Sequence, residues 1–268
     1  GLKSENLPAF RKGIEDYAKT VQMPFPTIEL DCKLRPEFIN ADILDVIAAL
    51  EPFGAGNPQP LFGLFAMRLS TVTPIGGGKH LRLTFKRGES TITAMLFSTT
   101  LEEFAYKTGD LLDLAVRLER NEYMGQVRVS IYIKDMRMSG TDDEKYLKSV
   151  RLFEKIKRRD RITQNQAAFA LPDRQFTGEV YRFIRSNGGW QHDTDVLCYR
   201  IGDDGANACK VLVSIEALCE LGILRKEKGK TVLCDTNKKA DLDNSEILSY
   251  LKNYREEISV FKKFQKRY

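Results

Sequence analysis

Strict two-residue alternation between residues 62 and 138 limits the fold of this chain more than any other feature. Leu81, Leu83 and Phe85 alternate with His80, Arg82, Thr84 and Lys86. Leu112, Leu114, Val116 and Leu118 repeat at the same spacing. So do Val127, Val129, Ile131 and Ile133, interleaved with Arg128, Ser130, Tyr132 and Lys134. Successive strand side chains point to opposite faces, so the pattern predicts strands with one buried face and one face toward water or a ligand. Five strands are expected: Phe62 to Thr73, Lys79 to Lys86, Thr91 to Phe97, one around Leu112–Leu118 and one around Val127–Lys134. A short helix, Leu101 to Tyr106, is expected after the third strand, capped by Thr99 and ended by Gly109.

Three strands, a helix and two strands is the order of an OB-fold barrel. Such barrels hold single-stranded nucleic acid with cations along the backbone and aromatic rings against bases. The candidates are Lys79, His80, Arg82, Lys86 and Arg87 on the second strand, and Arg117, Arg120, Tyr123, Arg128 and Tyr132 from the hairpin of the last two. This stretch has eleven basic and eight acidic residues. A solvated barrel face would carry the same cations, so residue types alone leave both readings open.

Residues 1–61 carry six basic and nine acidic residues, the wrong balance for a phosphate-binding surface. A helix is expected after Asn6 and Pro8, with Phe10, Ile14, Tyr17 and Ala18 at helical spacing. Met23-Pro24-Phe25-Pro26 breaks it. A strand from Thr27 to Leu34 and a helix through Ile39, Ile43, Leu44, Ile47 and Leu50 follow. That helix runs into Glu51-Pro52-Phe53-Gly54-Ala55-Gly56-Asn57-Pro58-Gln59-Pro60-Leu61-Phe62. Proline fixes φ and glycine frees it, so this is a shaped loop that either joins units rigidly or holds a ligand.

Residues 141–236 form a second unit. Helices are expected around Thr177–Ser186, Asp193–Ile201 and Asn207–Leu221, then two short strands around the charged turn Arg225 to Lys230. Three helices and a hairpin is a winged-helix order. The third helix offers Lys210 against Glu216 and Glu220, a poor set for reading base edges. It suits a structural or protein-contact role, and the turn suits a phosphate contact. The cluster Lys155 to Arg161 reads as a solvated helix end or a phosphate contact. Residues 237–268 form a helical tail with Lys262, Lys263, Lys266 and Arg267 between Phe261, Phe264 and Tyr268. The fold class expected is thus α+β and multi-domain: an OB barrel over 62–138 and a winged-helix-like module over 141–236.

Counting residues removes several functions. Net charge is +5, too mild to specify nucleic-acid binding by itself. No apolar run approaches the roughly 18 residues of a membrane span, and the start lacks a signal pattern. The five cysteines include no Cys-x-x-Cys pair, which points to a reducing, cytoplasmic setting with Cys198, Cys209 and Cys219 as core residues. His80 and His192 are the only histidines, which excludes most histidine-based catalysis. His192-Asp193-Thr194-Asp195 reads as the polar first turn of a helix rather than a metal site.

The loop Pro52-Phe53-Gly54-Ala55-Gly56-Asn57-Pro58-Gln59-Pro60-Leu61-Phe62 resembles a signature of RecJ-type exonucleases, DHH-superfamily enzymes that degrade single-stranded DNA from the 5′ end. Gly78-Lys79-His80-Leu81-Arg82-Leu83 is similar to the start of the second strand of that family's OB domain. Gly1-Leu2 and Glu5-Asn6-Leu7-Pro8-Ala9-Phe10 resemble the close of its DHHA1 domain, so residues 1–61 are expected to hold that end and a connector. The resemblance implies a bacterial, cytoplasmic parent that uses Mn2+ or Mg2+ in recombination and repair. It also implies that the Asp-His-His core lies outside this sequence, leaving no cofactor or catalysis here. By the same resemblance Lys79, His80 and Arg82 grip the strand. Single-stranded DNA is the expected partner. The alternative is a platform, through 141–268, for a single-strand-binding protein or a helicase.

Overall fold

The computed structural model describes residues 3–20, 27–123, 125–202, 208–235 and 241–254. The expectations for Gly1-Leu2, for the break at Met23–Pro26 and for the basic tail from Lys262 fall outside these residues.

Five long strands close a barrel. β2 (Phe62–Ile75), β3 (His80–Arg87), β4 (Ser90–Leu96), β5 (Leu111–Tyr123) and β6 (Gln126–Met138) form one sheet in the order β2-β3-β4-β6-β5, and β2 pairs back onto β5. The β4–β6 pairing is parallel and the other barrel pairings are antiparallel. β2 serves two neighbours because it bends. Its first half pairs with β5 and its second half with β3, with register shifts between Leu64 and Met67 and between Leu69 and Thr71. In the first shift Ala66 takes φ 53°, and its N–H donates to Asp113 Oδ1 at 3.0 Å. A bulge of this kind turns a strand around a barrel corner.

The alternating apolar residues face inward. Leu64, Met67, Leu69, Leu81, Leu83, Phe85, Leu112 and Val116 are fully buried. Val127 departs from the expected pattern and is exposed, because the β5–β6 hairpin runs past the barrel rim. Two further expectations fail locally. Residues 101–103 form a turn rather than a helix: Glu103 accepts from both the N–H and the hydroxyl of Thr100, which closes one turn. Phe104 then drops into the barrel core, and Tyr106 donates to the Met136 carbonyl at 2.7 Å. The strand expected from Thr27 shrinks to β1 (Cys32–Lys33), parallel to Phe62 and Gly63 of β2.

α1 (Leu7–Thr20) precedes this strand. α2 (Ala41–Ala48), capped by the Asn40 side chain, presses Ile43 and Ile47 onto the barrel core. Beyond the barrel come α3 (Asp143–Lys157), α4 (Gln164–Ala170), α5 (Arg174–Ser186), α6 (Thr194–Arg200) and α7 (Ala208–Glu220). The hairpin of β7 (Leu224–Glu227) and β8 (Lys230–Leu233) follows, then helix α8 over 246–254. Side-chain caps from Asp142, Thr163 and Asp173 start α3, α4 and α5. α7 is the centre of the module and contributes to both of its cores. Ala208, Cys209, Val211, Val213, Ser214, Ile215, Ala217 and Leu218 are all buried, so it has no broad wet face with which to enter a DNA groove.

The two units touch through polar contacts. Arg200 Nη1 and Nη2 donate to Asp110 Oδ1 and Oδ2 at 2.8 and 2.5 Å, and Nη2 reaches the Ala105 carbonyl at 3.4 Å. Gln191 Nε2 donates to the Glu102 carbonyl at 2.7 Å. Arg137 of the barrel bridges Asp113 and Asp143.

Candidate nucleic-acid interface

Strand register assembles one row across the outside of the barrel. Arg82 lies opposite Thr73 of β2 and Met95 of β4. Met95 pairs with Tyr132 of β6, and Tyr132 with Arg117 of β5. The row therefore reads Thr73, Arg82, Met95, Tyr132, Arg117.

An aromatic platform stands on this row. Phe97 stacks on Tyr132, with ring centroids 5.5 Å apart and planes 26° apart. His80 meets Phe97 edge-on at 4.9 Å. Phe97 is 50% exposed, so its ring is open to a partner. His80 Nδ1 accepts from the Ser98 N–H at 2.9 Å, which fixes the ring and leaves the proton of the neutral form on Nε2. Gly76 allows this packing. It sits at φ +59°, and a Cβ there would lie 3.0 Å from His80 Cδ2. Arg117 adds an unfilled donor: its Nε is enclosed and has no hydrogen-bond partner among the described residues.

The remaining candidates disperse. Lys79 is exposed in the turn before β3. Lys86 shares the outward face with Arg82, one pleat past Thr84, opposite Arg68 and Thr91. Arg128 lies higher on the β5–β6 hairpin, opposite Asn121, and donates to Gln126 at 3.0 Å. Arg87 alternates to the inward side at the β3–β4 turn, exposed beyond the rim and opposite Ser90. Arg120 also faces away from the row and forms an ion pair with Asp45 of α2. Tyr123 ends β5, and its side chain is outside the described residues.

Sequence reasoning missed Phe97 and Met95. The signal was present: Thr91, Thr93, Met95 and Phe97 alternate with buried Ile92 and Ala94. They put a methionine and an aromatic ring where a merely solvated strand would carry polar residues.

The Pro-Gly loop is bound into the barrel. Gly54 and Asn57 exchange backbone hydrogen bonds of 2.8 and 3.2 Å. Asn57 Nδ2 donates to the carbonyls of Leu50 and Pro52 at 2.8 and 3.1 Å, and Gln59 Nε2 reaches the Leu118 carbonyl at 3.1 Å. Phe53 packs against the core. These contacts use the loop's polar groups internally and favour the rigid joint over the ligand site.

The basic cluster at the end of α3 is also largely spent. Lys157 pairs with Glu216 at 3.4 Å, Arg158 with Asp160 at 3.4 Å and Arg159 with Glu246 at 3.8 Å. A cavity of about 530 Å³ between the units is lined by Phe65, Met136, Arg137, Tyr146 and Asp195, among others. Burial, with Asp193 nearby, pushes the Asp195 carboxyl above its usual range. Among the described residues no three His, Cys, Asp or Glu side chains gather as a metal site requires. The Mn2+ or Mg2+ expected of the parent therefore has no ligand set in the described part of this chain.

Comparison with known proteins finds similarity in the barrel region. Residues 30–135 match the family described as RecJ OB domain. The chain is 28% identical over 136 residues to the single-stranded-DNA-specific exonuclease RecJ of Thermus thermophilus, a match covering 49% of this chain and 18% of that protein. Crystal structures of RecJ from the same organism with Mg2+ and with Mn2+ match at 25% identity and a TM-score of 0.41. They cover 51% and 53% of this chain and 21% of theirs. The chain thus spans about a fifth of the length of the relatives it matches.

Proposed function

From the match of residues 30–135 to the RecJ OB-domain family, we propose that this chain grips single-stranded DNA across the outward face of β3, β4 and β6. The observation that carries the reading is the exposed Phe97–Tyr132 stack flanked on its row by Arg82 and Arg117. Bases stack on such rings whatever their identity, while the guanidinium groups hold phosphates on either side. Lys79, Lys86 and Arg128 extend the cationic border. The grip is therefore independent of sequence and sensitive to salt. Its job is to hold a strand for a metal-dependent 5′→3′ exonuclease core of the kind the family carries, in recombination and repair.

Fluorescence anisotropy of labelled single-stranded and duplex DNA at two salt concentrations tests this. Phe97→Ala should weaken single-strand binding by roughly 5- to 150-fold, the loss of about 1–3 kcal/mol of stacking. Joint replacement of Arg82, Lys86 and Arg128 should weaken it further. Arg120→Ala, on the far side of the hairpin, should leave it unchanged. Parent affinity in Phe97→Ala, or a loss in Arg120→Ala as large as in the triple variant, overturns the assignment of this face.

A further inference from the structure

β4 leads through Phe97 into the turn at 98–103, and the second unit is bonded to that turn at Glu102. Gln191 holds the Glu102 carbonyl, and the neighbouring Trp190 pairs on both sides with Thr231 of β8, at 2.8 and 2.7 Å. The β7–β8 hairpin is thereby fixed beside the 98–103 turn that follows Phe97. Its closeness shows in the electrostatics: the charge of Lys230 is felt by both Glu103 and His192.

The cations of this hairpin fall into two groups. Arg225 pairs with Glu227 at 3.1 Å, and Lys226 with Glu216 at 2.7 Å. Lys228 and Lys230 are exposed at the tip and form no ion pair with a described residue. Glu227, opposite Lys230 in the ladder and next to Lys228 in the chain, pairs with Arg225, and Glu103 across the turn has its carboxylate turned back onto Thr100. Tip ammonium groups held by a short hairpin on a fixed base suit a ligand with repeated anionic groups.

We propose that the β7–β8 tip is a second phosphate-binding element, which engages the same single strand after it leaves the Phe97–Tyr132 stack. The strand runs from the barrel face over the 98–103 turn to Lys228 and Lys230. This rests on the reading of the barrel face given above. It gives the winged-helix-like module a role that α7, buried on both sides, cannot fill.

Strand length separates the two elements. The full chain is titrated with labelled oligonucleotides of about 4 and about 16 nucleotides, the range of one barrel's site size, at several salt concentrations. Lys228→Gln with Lys230→Gln should leave binding of the short strand unchanged. It should weaken the long strand several-fold and reduce the salt slope by about 1.4, or about 0.7 per lost contact. Phe97→Ala should weaken both lengths. Equal affinity of parent and lysine variant for the long strand overturns the second element and leaves the barrel reading standing. A long strand sensitive to the lysines but not to Phe97 overturns the barrel reading instead. A parent chain that binds neither length at low salt overturns both.

Discussion

Arg200 joins the second unit to the barrel through a buried ion pair with Asp110, and Arg200→Met tests what that pair contributes. Its guanidinium and the Asp110 carboxylate are 12% and 8% exposed. The pair makes two direct contacts, and Arg200 also reaches the Ala105 carbonyl. Methionine fills much of the same volume but donates nothing. Asp110 Oδ2 keeps the Lys107 N–H at 2.7 Å, whereas Oδ1 and the Ala105 carbonyl lose their donor. Removing one partner of a buried pair costs about 3–5 kcal/mol, and the surviving Lys107 bond places the expected loss near 3 kcal/mol. For a chain of this size that is a fall in Tm of about 6–12 °C. Trp190, the only tryptophan, lies shortly before Asp193, the N-cap of α6, and reports the second unit by fluorescence, while calorimetry reports the whole. The double variant Arg200→Met with Asp110→Leu should be less damaged than the sum of the single changes, with a coupling above about 2 kcal/mol. Strict additivity, or a loss under about 1 kcal/mol for Arg200→Met, refutes the claim that this pair joins the units.

Two further predictions concern the same region. Burial holds the folded-state pKa of Asp195 above the usual carboxylate range, and its Oδ1 has no partner among the described residues. Its charged form therefore costs stability at neutral pH, a cost that fades as pH falls through the folded pKa toward the unfolded one. Asp195→Asn should raise stability at pH 7 by about 1 kcal/mol in urea titration and by less at pH 4, while a gain that grows on acidification contradicts the sign. Gly189 sits at φ +124°, and a Cβ there would lie 2.8 Å from the Thr231 carbonyl oxygen. Gly189→Ala should cost about 2–3 kcal/mol, against about 1 kcal/mol for Gly188→Ala, which at φ +68° meets nothing within 4 Å; equal losses from the two would show that the close approach to β8 does not matter.

The barrel was legible because period-two alternation reports burial directly. Leu81, Leu83, Phe85, Leu112 and Val116 are buried as the pattern requires. The errors lie where local chemistry and global topology part. Thr100 and Glu103 carry the residues of a helix start and form its reciprocal bonds, yet the helix does not propagate. Phe104 and Tyr106 gain more from the barrel than from a second turn. Arg120 and Arg128 look alike in sequence but stand on opposite faces, because Arg120 follows the parity of Leu118 and Arg128 that of Tyr132. Composition could not separate them; strand register did.

The interface between the units was illegible for a different reason. Arg200 and Asp110 are ninety residues apart, and each alone reads as an ordinary surface charge. Asp110 stands just before the start of β5, where its carbonyl accepts from Leu69 of β2, and the fold of the second unit brings Arg200 of α6 onto it. The same juxtaposition sets the β7–β8 hairpin beside the 98–103 turn, through Gln191 on Glu102 and Trp190 on Thr231. On the proposal made above, a module whose central helix is too buried to read DNA gains a use through its tip. On that proposal the Arg200–Asp110 lock is also a functional element. Loosening it should weaken binding of long strands before short ones, since only long strands need both units held in one arrangement.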